Sequence, residues 1–200
     1  MNLAGSLGLE DTVPNPEAVI VGPNAPDAMQ RLVRECRQRG VPWVFDPAHQ
    51  LPHMSGDDLV DGARGAWVLI GNDYELELIQ QRTGRDLARL KELSELVVTT
   101  LGRQGSRIDK GAESHAIAAA PARVESDPTG AGDAYRAGLV AGLLRGLDIP
   151  IAGAVASLAA TYAVEQVGTI EHRYSAEEFS GRFREAFGAA LPDRFWAPVS

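Results

Sequence analysis

Short β-rich runs alternate with longer amphipathic segments along most of this chain. Residues 18–22 (Ala-Val-Ile-Val-Gly) predict a strand, closed by a turn at Pro23-Asn24. Over 29–39, Leu32, Val33 and Cys36 recur at helical spacing, which predicts an amphipathic helix ending at Gly40. Residues 42–46 and 66–70 predict strands, with a short helix over 59–64 between them. A helix is expected over 73–83 and a β-branched strand over 96–100. Ser106-Arg-Ile and His115-Ala-Ile suggest antiparallel ribbons, and three helices follow over 131–145, 151–166 and 176–187. Strands alternating with helices, each strand nearly continuous in apolar residues, predict a mostly parallel sheet covered on both faces. Ligands of such sheets bind at the carboxyl ends of the strands. Asn72 follows the strand ending at Ile70, and Gly102 follows the one ending at Thr100. No internal repeat or low-complexity linker divides the chain, so residues 1–200 are expected to form one domain.

Composition narrows the partners. The chain is 44% hydrophobic and 23% charged, as in ordinary globular proteins. Its 27 acidic against 19 basic residues give a net charge of −8, which argues against nucleic acid or an anionic membrane. The single cysteine, Cys36, cannot form an internal disulfide, and a cytoplasmic location is the expectation. The start Met1-Asn-Leu-Ala lacks the charged and apolar regions of a signal peptide. The uncharged run from Ile149 to Val164 contains Pro150 and falls short of the roughly 20 residues needed to span a bilayer, so it reads as a buried helix.

The densest chemistry lies at Asp127-Pro-Thr-Gly-Ala-Gly-Asp133, just before an apolar, small-residue helix. Gly130, Ala131 and Gly132 let backbone approach a ligand closely, and a helix N-terminus offers unpaired amides to an anion. A carboxylate at an anion site repels phosphate, so Asp133 suggests a base that deprotonates a hydroxyl beside a phosphoryl donor. The alternative is that Asp133 simply caps the helix. Asn72 and Glu75 lie one helical turn apart and could orient hydrated magnesium and a phosphate oxygen. The same spacing also describes a capping box. Thr100-Leu-Gly102-Arg-Gln-Gly105 could wrap nucleotide phosphates and ribose, or form a tight turn between strands. Arg136, on an apolar helix, is expected to pair with Asp127, a phosphate or another acid. Asp46-Pro-Ala-His49 ends a strand near where substrate or nucleotide could approach, with His49 read as a loop residue. Trp43 and Trp67 read as core, and Asp193-Arg-Phe-Trp196-Ala-Pro as an exposed docking tail.

The segment Asp127-Pro-Thr-Gly-Ala-Gly-Asp133-Ala-Tyr-Arg-Ala-Gly-Leu139 resembles the second signature of the PfkB-type carbohydrate kinases of the ribokinase superfamily. Its Ala-Tyr-Arg-Ala-Gly continuation is most similar to the bacterial adenosine kinase-like branch. Asn72-Asp-Tyr-Glu75 is similar to the family's Asn-x-x-Glu motif for magnesium and phosphate, and Thr100-Leu-Gly102-Arg-Gln-Gly105 to its nucleotide loop. The three motifs come in the family's order, and the resemblance runs over most of the chain. It implies a three-layer α/β/α ribokinase-like, Rossmann-like fold and transfer of the γ-phosphoryl of ATP to a primary hydroxyl of a nucleoside or sugar. By the same resemblance Asp133 is the base, Gly130, Ala131 and Gly132 form the anion hole, and Asn72 and Glu75 hold magnesium. Asn72, Thr100, Gly102, Gly105, Gly132 and Ser157 contact the nucleotide, with Ser157 lining the adenine pocket. Asp127, Thr129, Ala163 and Gly168 surround a monovalent cation such as potassium, beside Gln166.

The family's opening strand, its Gly-Gly-x-x-x-Asn substrate segment and its lid sheet have no counterpart in this sequence. The resemblance therefore implies the C-terminal, nucleotide-binding portion of such a kinase, truncated at its N-terminus and without a lid. Two further readings follow: a catalytically inactive nucleotide-binding fragment or pseudokinase, and, less supported, a nucleotide-dependent regulator. An unpaired sheet edge in a truncated chain would favour association, so a homodimer is among the expected states.

Overall fold

The computed structural model describes residues 8–9, 14–168 and 173–197. The Met1-Asn-Leu-Ala start and Pro198 of the tail lie outside them. The chain divides into two compact units, one of residues 1–101 and 107–114, the other of 102–106 and 115–200.

In the first unit, strands β1 (Val19–Val21), β2 (Trp43–Phe45), β3 (Val68–Asn72) and β4 (Leu96–Thr100) run parallel in sequence order. They open a six-stranded sheet continued by β5 (Ser106–Lys110) and β6 (Glu113–Ile117). Parallel neighbours require crossovers, which α1 (Pro26–Arg39), α2 (Gly56–Ala63), α3 (Asp73–Thr83) and α4 (Leu87–Lys91) supply. Helix α1 starts on Pro26, whose missing N–H costs nothing there, and ends at Gly40 in the left-handed conformation (φ 65°). Its buried residues Met29, Val33 and Cys36 join Val21, Trp43, Phe45, Leu69 and Val97 in one core. Burial pushes the Cys36 thiol up to about 11, reinforced by Glu35, so it is an inert core residue. Trp43 is core as expected, its indole N–H donating to the Gly62 carbonyl at 3.0 Å, whereas Trp67 is half-buried.

Several bounds differ from the sequence reading. The short helix begins at Gly56 rather than 59, because Ser55 and Asp58 form a capping box. Strand β3 reaches Asn72, so that residue both ends a strand and caps a helix. Helix α4 was not expected; Asp86 caps it by accepting from the Arg89 amide. Ribbons β5 and β6 are each longer than the apolar triplets suggested. After β2, Asp46 is buried, and Ala48 takes a positive φ of 38° as the chain enters the 3-10 turn Ala48–His53.

The second unit is built on α5 (Ala131–Leu144), α6 (Ile149–Val164) and α7 (Ala176–Phe187), with α5 and α6 in the most extensive contact. A Cβ on Gly138 would stand 2.9 Å from the Ala156 Cα, and one on Gly142 would stand 2.9 Å from the Ala152 Cα. Small residues are therefore what let the two backbones approach. Helix α6, the run considered as a membrane span, is a buried helix, and no helix of the described residues is long and apolar enough to cross a membrane. The tail expected to be exposed is so only in part: Trp196 stays 42% exposed, but Phe195 does not. Phe195 is buried, its ring stacked at 6.1 Å on Phe179 of α7, and Trp196 donates to the Ser180 hydroxyl at 3.0 Å. Aromatic area removed from water outweighs the polar character of Asp193 and Arg194.

Candidate active site

The first unit brings together Asn72, Glu75 and Thr100. Asn72 and Thr100 are register partners at the carboxyl ends of β3 and β4. The Asn72 side chain accepts from the Glu75 amide, and Glu75 Oε2 accepts from the Asn72 amide, both at 2.8 Å. The capping box is thus formed in full. It occupies one oxygen of each side chain, leaving Glu75 Oε1 and Asn72 Nδ2 without a partner among the described residues. Capping and ion binding are therefore compatible. The remaining Glu75 oxygen suits magnesium, which takes few protein ligands and keeps its waters, while Asn72 Nδ2 can donate to such a water or to a phosphate oxygen. No cluster of three or more acidic, histidine or cysteine side chains suited to a metal occurs among the described residues.

The remaining candidates lie in the second unit. Gly130 caps α5 in the left-handed conformation (φ 84°), a position a side chain would strain. No side chain caps this helix, so Asp133, in its first turn, is not the N-cap. The Ala131 amide donates to the Pro128 carbonyl and the Ala134 amide to the Gly130 carbonyl. That leaves the amides of Gly130, Gly132 and Asp133 without an acceptor among the described residues. The free set thus includes Asp133 in place of Ala131, an exchange that only turn geometry reveals. A Cβ on Gly132 would meet nothing nearer than Arg136 Nη1 at 3.9 Å, so the approach is open.

Arg136 pairs with an acid as expected, Asp133 rather than Asp127. Burial lowers the Arg136 pKa without removing its charge. The spacing of the two residues along the helix could have revealed this pair.

Asp127 closes a tight turn by accepting from the Thr129 amide at 2.9 Å. Hydrogen bonds from the Thr129 side chain and amide, then from the Gly168 amide, hold its carboxyl below the usual range. The Asp127 amide donates to the Val164 carbonyl at 3.1 Å. Asp127, Thr129 and Gly168 are therefore contiguous at the end of α6, while Ala163 is fully buried and its carbonyl accepts from the Gln166 amide.

Gly102 opens a 3-10 turn that Gly105 follows, and the two differ in surroundings. A Cβ on Gly102 would meet open space, whereas one on Gly105 would stand 2.0 Å from the Ile117 carbonyl oxygen. Of the two, Gly102 is the one that offers backbone to a ligand. Ser157 is buried, accepting from the Ala120 amide at 2.8 Å and donating to the Ala118 carbonyl at 3.0 Å. Its hydroxyl shapes the segment after β6.

Two polar contacts escaped the sequence reading because each joins residues far apart in the chain. Arg182 of α7 pairs with Glu165, donates to the Pro121 carbonyl at 3.0 Å and lies over the Tyr162 ring at 4.6 Å. Tyr135 of α5 shares a hydrogen bond with Ser106.

Within the second unit, then, the start of α5 has no side-chain cap and carries the exposed Asp133 carboxylate in its first turn. The chain belongs to the pfkB family of carbohydrate kinases, which matches residues 10–175. A nucleoside kinase of Methanothermobacter thermautotrophicus is 34% identical over 184 residues, covering 91% of this chain and 59% of that protein. The Burkholderia thailandensis nucleoside kinase, solved in complex with inosine, superposes with a TM-score of 0.86 at 32% identity, over 94% of this chain and 59% of its own. The nucleoside kinase of Methanocaldococcus jannaschii has the same fold, with a TM-score of 0.83 at 24% identity over 91% of this chain and 60% of its own. The ribokinase-like α/β fold expected from the sequence is thus the fold found. The chain spans 59% of the Methanothermobacter relative's length.

Proposed function

We propose that residues 1–200 are the nucleotide-binding portion of one kinase domain that transfers the γ-phosphoryl of ATP to a hydroxyl of a nucleoside. The observation that carries this reading is the start of α5: the amides of Gly130, Gly132 and Asp133 have no acceptor among the described residues, and the exposed Asp133 carboxylate stands in the same turn. The amides stabilise charge developing on the phosphoryl oxygens. Asp133 accepts the acceptor hydroxyl's proton; the hydroxyl oxygen then bonds to the γ-phosphorus as the bond to the β-phosphate oxygen breaks, and ADP leaves. The nucleoside class is favoured by the Methanothermobacter and Burkholderia nucleoside kinases, which are above 30% identity over more than nine-tenths of this chain, whereas a maize inositol 3-kinase that is 47% identical matches 74% of it.

Asn72 and Glu75 are the residues proposed to hold magnesium, which when bound neutralises phosphate charge. Thr100, Gly102 and Gly105 are assigned to the nucleotide loop, with Gly105 shaping it. Ser157 sets the segment beside the adenine through Ala118 and Ala120. Asp127, Thr129, Ala163 and Gly168 are proposed to frame a potassium ion, an assignment favoured by the ionised Asp127 carboxylate. The sole cysteine, buried and inert, accords with a cytoplasmic location.

The test is ATP consumption by monodisperse protein with inosine, adenosine and common sugars as acceptors. ADP formation dependent on a nucleoside, and abolished in Asp133→Asn, supports the reading. ATP binding with no acceptor-dependent ADP from any of them overturns the transferase reading in favour of nucleotide binding alone.

A further inference from the structure

The hydroxyls of Tyr135 and Ser106 lie 2.6 Å apart, and both residues are buried. Tyr135 stands two residues beyond Asp133, and Ser106 directly follows Gly105. One hydrogen bond therefore joins the helix that carries the phosphoryl-binding amides to the end of the nucleotide loop. Burial pushes the Tyr135 hydroxyl up to about 12, so its proton stays in place to be shared. The ring alone would fill the same space in a phenylalanine, so packing does not require the oxygen. A buried hydroxyl costs free energy unless it is paired, and here each hydroxyl satisfies the other.

Both ends of this contact are rigid. On one side Gly105 is wedged against the Ile117 backbone, and its amide donates to the Gly102 carbonyl at 3.0 Å. On the other, α5 is held against α6 at Gly138 and Gly142. A bond between two rigid pieces sets a distance.

We propose that the Tyr135–Ser106 hydrogen bond is a positioning contact that fixes the span between loop Gly102–Gly105 and the amides of α5, and so selects nucleotides long enough to reach both. The inference rests on the kinase reading above for the identity of the two ends. Tyr135 and Ser106 touch neither substrate nor reacting atoms; they act through the elements they join. A nucleoside triphosphate engages both ends, whereas a monophosphate engages the loop alone.

The experiment uses the full chain with Tyr135→Phe, Ser106→Ala and the double variant, measuring ATP and AMP affinity by calorimetry and the melting temperature of each. Expected is a loss of ATP affinity of roughly three- to tenfold in either single variant, the effect that one neutral buried hydrogen bond supports. The double variant should be no worse than the singles, because the two hydroxyls act through one bond. AMP affinity should stay unchanged. A lower melting temperature with ATP affinity intact would show a purely structural contact, and equal losses for ATP and AMP would show local damage to the loop; either result overturns the proposal. Wild-type protein that binds neither nucleotide overturns the kinase reading itself, a distinct outcome.

Discussion

Asp133 and Arg136 form an ion pair across one turn of α5, the carboxylate side chain 74% exposed and the guanidinium 13%. The acid is presented outward while its partner is anchored in the protein. On the proposed reading Asp133 must reach the substrate as base, and a carboxylate tethered from below keeps that freedom with its orientation set. Asp133→Asn is expected to leave ATP affinity within about twofold and to lower phosphotransfer by about 10²–10⁴-fold, the usual worth of a positioned proton acceptor. Steady-state rates within tenfold of wild type would remove Asp133 from the role of base.

Glu75 serves two purposes on this reading, and one substitution separates them. Gln keeps the oxygen that accepts from the Asn72 amide, so the capping box survives. Glu75→Gln should shift the melting temperature little but raise the magnesium concentration needed for half-maximal activity. Asn72→Ala should instead cost about 1 kcal/mol of stability through the lost cap. A magnesium titration on each variant, beside thermal melts, checks both. An unchanged midpoint in Glu75→Gln would confine Glu75 to capping.

The two loop glycines should respond differently to alanine. At Gly105 the added methyl collides with the Ile117 carbonyl and the φ of 89° is strained, so Gly105→Ala is expected to cost more than 2 kcal/mol, beyond ordinary overpacking at its low end. At Gly102 (φ 56°) space is open, and the cost should be about 1–2 kcal/mol from the left-handed conformation alone. Chemical denaturation gives both values, and ATP titration should show that Gly102→Ala loses affinity beyond its effect on stability.

The Glu165–Arg182 pair makes a pH prediction. Burial alone would raise the Glu165 carboxyl, but hydrogen bonds from Arg182 and the Arg123 amide outweigh it and hold the carboxyl below its usual range. Its contribution to stability is therefore complete above the unfolded value of about 4.3 and is lost as pH falls through the lower folded value. Glu165→Gln should cost about 3 kcal/mol at neutral pH, the low end for a buried charge left unpaired, since Arg182 keeps Pro121 and Tyr162. The variant's stability should also fall less steeply than wild type in acid. Parallel acid slopes in the two proteins would count against this account.

Patterns confined to one stretch of chain were legible in the sequence. Strands β1 to β4 declare themselves by unbroken apolar runs, and the Asp127–Asp133 string by its glycines. What was not legible depends on partners distant along the chain or on exact backbone angles. The Phe195 tail reads as exposed until Phe179 is known to lie beneath it. Asp133 reads equally as a cap or a base until Gly130 is seen in the left-handed cap position. The distinction between Gly102 and Gly105 needs the Ile117 carbonyl, which no local pattern predicts. Ser157 likewise reveals its work only once the turn at Ala118–Ala120 is seen to lean on it.

The seam between α5 and α6, made of Gly138, Gly142, Ala152, Ala156 and Ala159, has a thermodynamic character of its own. Glycine and alanine have no rotamers to freeze, so this interface forms with almost no loss of side-chain entropy. It also has none to release on warming. Heat can loosen a seam of leucines gradually, through side-chain disorder at fixed backbone, but this one can yield only by separating the helices. Asp133 and the amides at the start of α5 should thus keep their geometry until the unit unfolds.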